Sequence, residues 1–386
     1  TQTATPFAYA WPGYCKGGGG LLRVTKKPET SSGRRFLISI LAVVAALLAT
    51  SVIIFILGYN PLDIYWKMLE GATATPYRLK ETINKAIPLV ILSLGVGIAF
   101  RMKFWNIGAE GQYYMGAFAA SFLALNYFNW PAYILLPAMF IAALVAGGIW
   151  CCIPAVLKAR FGTNETLVTL MMNYIAISWI TYLQHGPWKD PGQFGFPKIA
   201  NFEKNAILPN LFGVHIGWVI ALVLVVLVYI LLRYTKLGYE ISVLGESVTT
   251  ARYAGINVTK VMLLAVFLSG GLCGATGMIQ ASAIESSLSY QMSGGLGFTA
   301  IITAWLARLN PFTIIIVSFL FSILLQGGTY LQGALQIPAS IAGILQGSIL
   351  FCILGSEFFT QYKVSWYKAK PKNKTENKAE SQGGEA

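Results

Sequence analysis

The chain of 386 residues contains 55% hydrophobic residues but only 11% charged ones. Soluble domains carry about 25% charged residues, so this composition excludes a soluble globular protein and favours one membrane-embedded body. The net charge of +13 does not indicate nucleic acid binding, because the cations stand at the ends of apolar stretches rather than on one folded polar face.

Apolar windows of membrane-spanning type follow one another along the chain. A bilayer core requires about 20 apolar residues per helix, and lipid offers the backbone no hydrogen-bond partner, so each span is predicted to be helical. In chain order the windows are 36–57, 83–100, 110–127, 132–157, 165–184, 216–232, 261–280, 297–309, 312–328 and 338–355. The predicted fold class is an all-α polytopic membrane protein with about ten transmembrane helices, some discontinuous, in two related halves.

The placement of the cations indicates the topology. Cytoplasmic loops are enriched in Lys and Arg. If the windows cross the membrane alternately, 21 of the 28 Lys and Arg residues fall on the side that holds Arg34 and Arg35. The sequence therefore predicts that both termini are cytoplasmic.

The two ends of the chain differ in composition from the spans. Residues 1–35 include a run of four glycines and are predicted to be a disordered or non-native extension. Residues 36–360 are predicted to form the transmembrane domain. Residues 361–386 are polar and of mixed charge, which predicts a disordered cytoplasmic tail.

No motif for catalysis or cofactor binding is present. The sequence has no GxxxxGK[ST] phosphate loop, no HExxH zinc motif and no CxxC pair among its five cysteines, so neither an enzyme nor a metal or cofactor site is predicted. Gly270 and Gly274 form a GxxxG pattern in the seventh window. Such a pattern typically allows two helices to pack closely.

A polar group stands between the second and third windows. Asn106, Glu110 and Gln112 occur there together with Gly108 and Gly111. Ionisable side chains at membrane depth are costly and usually line a polar pathway. Asn106 and Glu110 are spaced to share a helix face, and the glycines favour a break of the kind that transporters place beside a cavity. An ordinary cytoplasmic turn is the alternative.

Two further polar groups are candidates for the same pathway. Glu165, Thr169 and Asn173 recur every four residues and predict one polar face on the fifth helix. The helix dipole is an alternative explanation for Glu165, and interhelical packing is one for Asn173. Gln280 and Glu285 begin a Gly-rich outer connection, which we interpret as re-entrant, with a solvated loop as the alternative.

The connection 233–260 predicts a surface for a partner. Ser247 is a typical cap for a short helix through Tyr253, and Gly255 can end that helix in the left-handed conformation. A helix of two turns is marginal by itself. Its presence would therefore indicate docking, whereas a solvated loop is the alternative.

These segments resemble permease subunits of bacterial ABC importers in the branched-chain amino acid, ribose and galactose superfamily, especially its nucleoside branch. The matching segments are 104–112 (FWNIGAEGQ), 163–176 (TNET to MNYIA), 245–256 (GES to ARYAGI) and 308–311 (RLNP). Two departures are Trp105, where the family pattern runs Phe-Asn directly, and Ser247-Val248 in place of Asn-Pro. Serine keeps the capping oxygen, but valine lacks the preset backbone angle of proline.

The resemblance implies a permease subunit of an ATP-driven nucleoside importer in the bacterial plasma membrane. It implies as partners an ATP-binding cassette ATPase that binds the ATP, a second permease that is a paralogue, and an extracytoplasmic substrate-binding lipoprotein, in contact with membrane lipid and without nucleic acid. The substrate pathway is predicted at Asn106, Glu110, Gln112, Glu165, Asn173, Gln280 and Glu285. ATPase coupling is predicted at Gly238, Glu246, Ser247, Arg252, Tyr253 and Gly255.

Two alternatives remain open at this point. The same architecture could import a simple sugar, such as ribose or galactose, or a branched-chain amino acid. A transporter of another class, coupled to ions, also uses carboxylates within the membrane.

Overall fold

The computed structural model describes residues 21–26, 32–192, 195, 197–336 and 362–367, with a few further residues between 340 and 352. Residues 1–53 and 347–386 form one unit, and residues 54–346 form a second, larger one. The elements in chain order are β1 (Leu21–Lys26), α1 (Ser32–Ile56), α2 (Pro61–Thr73), α3 (Pro76–Arg101), α4 (Ala109–Asn126), α5 (Ala132–Phe161), α6 (Glu165–His185), β2 (Asn210–Leu211), β3 (Val214–His215), α7 (Gly217–Tyr234), α8 (Lys236–Glu246), α9 (Val248–Tyr253), α10 (Val258–Gln280), α11 (Leu296–Leu306), α12 (Pro311–Leu335) and β4 (Tyr362–Tyr367).

The unit that contains both chain ends holds one strand pair. β1 pairs antiparallel with β4, so that Leu21 lies opposite Tyr367 and Lys26 lies opposite Tyr362. This ladder was not predicted from the sequence, because both segments belong to ends that were expected to be disordered or non-native. Most of the predicted extension and tail, residues 1–20 and 368–386, lies outside the described residues. The three domain boundaries stay predictions.

The predicted all-helical, multi-pass architecture is confirmed, whereas the count of about ten spans is not. Among the described residues, six helices are long and apolar enough to cross a membrane, namely α3, α5, α6, α7, α10 with its extension to Glu285, and α12. Counting α1 and α2 together as one broken span gives a seventh. α4 and α11 do not meet the same criterion, and the tenth window, 338–355, is described only in part.

The helix α2 was not predicted. Its N-terminus is well specified, because the side chain of Asn60 accepts a hydrogen bond from the Leu62 amide at 3.1 Å and Pro61 occupies the first turn. The ion pair of Lys67 with Asp63, at 2.8 Å, interrupts the apolar pattern. The apolar pattern of the sequence therefore does not reveal this helix.

Close helix packing at the glycines of α10 is confirmed. A Cβ atom on Gly274 would meet the carbonyl oxygen of Ala143 and, at 2.9 Å, the Cα atom of Gly147 on α5. A Cβ atom on Gly270 would meet the Cβ atom of Cys151 on α5. The backbones of α5 and α10 therefore touch along this seam, which only small residues allow.

We expect Gly274→Val to destabilise the folded chain by about 3 kcal/mol, because the added side chain overfills a contact between two backbones. The measurement is the melting temperature of the purified protein. The control is Gly333→Val on α12, where an added Cβ atom meets nothing within 4 Å. Equal melting temperatures for the two variants would contradict the packing argument.

The segment between α6 and α7 packs against the residues that follow α10. The Phe202 amide donates to the carbonyl oxygen of Ser286 at 2.8 Å, and the Leu208 amide donates to the hydroxyl of Ser282 at 3.1 Å.

His215, in β3, is buried, and burial lowers its pKa to about 4. Its ring is therefore neutral at neutral pH.

Candidate functional site

The predicted break between the second and third windows is present. α3 ends at Arg101 and α4 begins at Ala109, with non-helical backbone between them. The Gly108 amide donates to the side-chain oxygen of Asn106 at 3.0 Å. Because Asn106 precedes α4, the prediction that Asn106 and Glu110 share one helix face is wrong.

Asn106 and Gln112 form a closed amide pair with Ser269. Asn106 Nδ2 donates to Gln112 Oε1 at 3.1 Å and to Ser269 Oγ at 3.1 Å. Gln112 Nε2 donates to Asn106 Oδ1 at 2.7 Å. All three side chains are buried. Buried polar groups need such partners, so this pair fixes the break between α3 and α4 against the middle of α10.

Glu110 joins the N-terminal ends of two helices. It lies in the first turn of α4 and is 4% exposed. Its carboxylate accepts hydrogen bonds from the Ser293 hydroxyl and from the Gly297 amide, the latter at 2.8 Å. Gly297 lies in the first turn of α11. Helix N-termini carry partial positive charge, so this carboxylate stands where two such ends attract it.

Helix lengths place Glu110 inside the bundle. Trp305, near the end of α11, stacks on Trp105 at 5.6 Å and lies 5.9 Å from Phe100 near the end of α3. Gly297 precedes Trp305 by eight residues, which is about 12 Å of helix. Glu110, bound to Gly297, therefore lies about 12 Å along α11 from the aromatic contact at Trp305.

The connection that precedes α11 runs back into the protein. Leu288 and Ser293 are buried. The Tyr114 hydroxyl donates to the carbonyl oxygen of Tyr290 at 2.6 Å and accepts from the Ser293 amide at 3.3 Å. These contacts with α4 support the re-entrant interpretation over a solvated loop. α11, with 11 residues, covers about half of a hydrocarbon core of roughly 30 Å.

The predicted polar face of α6 is confirmed. Asn173 Nδ2 donates to the carbonyl oxygen of Ile107 at 2.9 Å, and Asn173 Oδ1 accepts from the Gly111 amide at 2.8 Å. The Thr169 hydroxyl accepts from the Ile107 amide at 3.3 Å. Asn173 thus packs α6 against the start of α4. We call Asn106, Glu110, Gln112 and Asn173, with their partners, the polar cluster.

Three predicted pathway residues lie outside the polar cluster. Glu165 forms an ion pair with Lys158 at 2.5 Å, between the ends of α5 and α6. Gln280, the last residue of α10, is 8% exposed, and among the described residues its Oε1 atom has no hydrogen-bond partner. Glu285 is exposed. These three side chains are therefore not hydrogen-bonded to the polar cluster in this structure, and their place in a substrate pathway stays a prediction.

The partners in the polar cluster were missed from sequence. Ser269 lies in an apolar helix, and Ser293 and Gly297 belong to a connection that was singled out only as Gly-rich and polar. A lone serine in an apolar helix and a serine directly before a pair of glycines are weak signals. Neither signal identifies Glu110 or Asn106 as the partner.

The predicted cap and stop of the short helix are confirmed. The Ser247 hydroxyl accepts from the Thr250 amide at 3.3 Å, and α9 follows as Val248–Tyr253. Gly255, with φ of 73°, ends the segment in the left-handed conformation that glycine favours.

α9 presents an apolar surface away from the bundle. Tyr253 is 93% exposed, and Val248 is 47% exposed. Arg252 and Glu246 are also exposed. Ala251 is buried within the chain itself, so it is not part of this surface. An exposed aromatic beside charges on a capped helix is suited to a protein partner.

Gly238 has a different position from the other predicted coupling residues. It is buried, and a Cβ atom there would meet the carbonyl oxygen of Leu231. This glycine shapes the corner between α7 and α8, and it does not lie on the exposed surface of α9.

Comparison with known proteins identifies the family. The model of the branched-chain amino acid transport system / permease component matches residues 78–354. A glucose ABC transporter permease of Haloferax volcanii is 33% identical over 84% of this chain and 88% of its own length. A guanosine ABC transporter permease of Bacillus subtilis is 28% identical over 88% of this chain and 98% of its own. A nucleoside ABC transporter permease of Lactococcus lactis is 27% identical over 83% and 91%.

A second permease from each of these organisms also matches. These matches cover 69%, 60% and 66% of this chain, respectively. The family match, the helical architecture and the related permeases agree. The chain therefore belongs to the branched-chain amino acid transport system / permease component family, as a membrane permease subunit of an ABC transporter.

Proposed function

We propose that the chain forms the translocation pathway of an importer for nucleosides. The observation that carries this proposal is the polar cluster, buried where α4, α6, α10 and α11 meet. Its amides and carboxylate are groups that bind ribose hydroxyls and base edges. In this conformation they bind one another, which corresponds to a closed gate. A passing nucleoside would exchange these hydrogen bonds for its own.

Three kinds of partner follow from this proposal. Family membership implies an ATPase partner and another permease subunit. We assign ATP hydrolysis to that ATPase, docked on α9, and delivery of substrate to an extracytoplasmic lipoprotein. The paired matches from three organisms support a paralogue as the second permease.

The proposed topology has ten crossings in the plasma membrane, with both termini cytoplasmic and two related halves. The crossings are α1, α3, α4, α5, α6, α7, α10, α11 together with the re-entrant connection before it, α12 and the window 338–355. The positions of Arg101, Arg233 and Arg308 support it, because all three line one cavity. The alternating topology assigns each of them to the cytoplasmic side.

A simple sugar is the second candidate cargo. The glucose permease of Haloferax volcanii is 33% identical to this chain, whereas the guanosine permease of Bacillus subtilis is 28% identical. A sugar would use the same hydroxyl-binding groups. A branched-chain amino acid has only the description of the family in its favour.

Uptake into proteoliposomes tests the function. The chain is reconstituted with its ATPase, second permease and binding protein, and labelled guanosine is supplied with or without ATP. We expect ATP-dependent uptake that unlabelled nucleosides inhibit and glucose does not. Inhibition by glucose, with transport of labelled glucose, would favour the sugar. Uptake by this chain alone without ATP would contradict an ABC importer and favour ion coupling.

A further inference from the structure

A tight hairpin turn lies in the connection between α6 and α7. β2 pairs antiparallel with β3, so that Leu211 lies opposite Val214. Phe212 and Gly213 are left as the two residues of the turn. Both residues of β3 are buried, so the hairpin is fixed to the protein through that strand.

Phe212 has a backbone conformation that a bulky side chain disfavours. Its φ is 58°, and the φ of Gly213 is 81°. A two-residue turn with positive φ at both positions normally begins with Asn, Asp or Gly, and a bulky residue in this region is a genuine outlier. The Phe212 side chain is nevertheless 84% exposed. Packing within the chain therefore does not explain why phenylalanine occupies this position.

The turn lies at the level of a charged side chain. A Cβ atom on Gly213 would meet the ammonium nitrogen of Lys80 near the start of α3. Lys80 is exposed, and an ammonium group is costly to place inside the hydrocarbon of a membrane. The neighbouring ring of Phe212 is therefore held at a polar level, where acyl chains do not cover it.

Further apolar side chains are exposed on the two segments that meet here. Leu211 in β2 is 39% exposed, and Tyr77 and Leu79 in the first turns of α3 are 73% and 38% exposed. We call Leu211, Phe212, Tyr77 and Leu79 the hairpin patch. Exposed apolar and aromatic side chains with a charge beside them are typical of a site for a protein partner.

We propose that Phe212 anchors the extracytoplasmic substrate-binding lipoprotein, by inserting its ring into an apolar pocket of that protein beside a carboxylate that pairs with Lys80. The alternating topology assigns Lys80 and the connection between α6 and α7 to the outer side, where this partner is. A few buried aromatic anchors dominate the energy of many interfaces, and the turn holds this ring on a fixed backbone. The inference rests on the proposed function, which supplies both the topology and the partner.

Titration of the assembled transporter in nanodiscs with the lipoprotein, freed of its lipid anchor and loaded with cargo, tests the proposal. Phe212→Asn removes the ring but supplies a residue that tolerates the left-handed conformation, so the hairpin is retained. We expect it to weaken binding about 30-fold. Phe212→Tyr keeps the ring and should bind within about threefold of the unsubstituted complex. The control is Phe161→Ala, at the cytoplasmic end of α5, where the side chain is 73% exposed; its affinity should be unchanged.

Photochemical crosslinking separates a protein partner from lipid. Benzoylphenylalanine introduced at position 212 should crosslink to the lipoprotein, and crosslinks to phospholipid alone would overturn the proposal. Equal affinity of Phe212→Asn and the unsubstituted complex would also overturn it, as would an equal loss in Phe161→Ala. ATP-dependent uptake by the unsubstituted complex is measured in parallel. Normal uptake with unchanged affinity in Phe212→Asn contradicts the docking contact alone, whereas no uptake by the unsubstituted complex contradicts the proposed function and the docking inference with it.

Discussion

Glu110→Ala is expected to reduce ATP-dependent uptake by at least about 100-fold while the complex still assembles. The substitution leaves the Ser293 hydroxyl and the Gly297 amide buried without their acceptor. Each orphaned donor costs about 1–3 kcal/mol. These hydrogen bonds join α4 to the start of α11, and a loss of about 3 kcal/mol in the state that passes substrate corresponds to roughly 100-fold in rate. The measurements are labelled nucleoside uptake in proteoliposomes and co-purification of the ATPase.

Two matched variants separate the role of the carboxylate from general damage. Glu110→Gln keeps acceptor oxygen but loses the charge, so an intermediate loss is expected. Glu70→Ala removes an exposed glutamate of α2 and should leave uptake unchanged. Normal uptake by Glu110→Ala, in a complex that still contains the ATPase, would remove Glu110 from the pathway.

Tyr253→Ala is expected to uncouple the permease from its ATPase. The ring is 93% exposed at the end of α9, and exposed tyrosines that become buried in an interface frequently contribute about 2 kcal/mol or more to binding. A loss of that size weakens association about 30-fold. The measurements are the affinity of the ATPase for the purified permease and ATP-dependent uptake.

The control for this variant is another exposed tyrosine. Tyr133, at the start of α5, is 78% exposed and lies outside the connection that carries α9. Tyr133→Ala should leave ATPase affinity unchanged. If Tyr253→Ala binds the ATPase as tightly as the unsubstituted permease, then α9 does not form the coupling contact.

Local signals account for what the sequence predicted well. The cap at Ser247, the stop at Gly255 and the break before Ala109 each depend on residues within a few positions of one another. The helix α2 was not predicted, because the ion pair of Asp63 with Lys67 interrupts its apolar pattern. Short helices with charges carry no period strong enough to separate them from loops.

The sequence predicted the four polar residues that define the polar cluster, but it did not predict their hydrogen-bond partners. A buried polar side chain needs a partner whether that partner is a substrate or another part of the chain. The sequence identified Glu110 and Asn106 as costly groups at membrane depth. It gave no means to find Gly297 or Ser269, which lie far along the chain and meet them only through tertiary packing.

The carboxylate of Glu110 also affects which substrates the importer excludes. Two helix N-termini are sites where proteins commonly hold phosphate groups, and here the chain's own acid fills that position. A nucleotide or a sugar phosphate would bring a second negative charge to the same place and meet repulsion. The gate would therefore admit neutral nucleosides and sugars and exclude their phosphorylated forms, so that a cargo phosphorylated after entry could not leave by the same route.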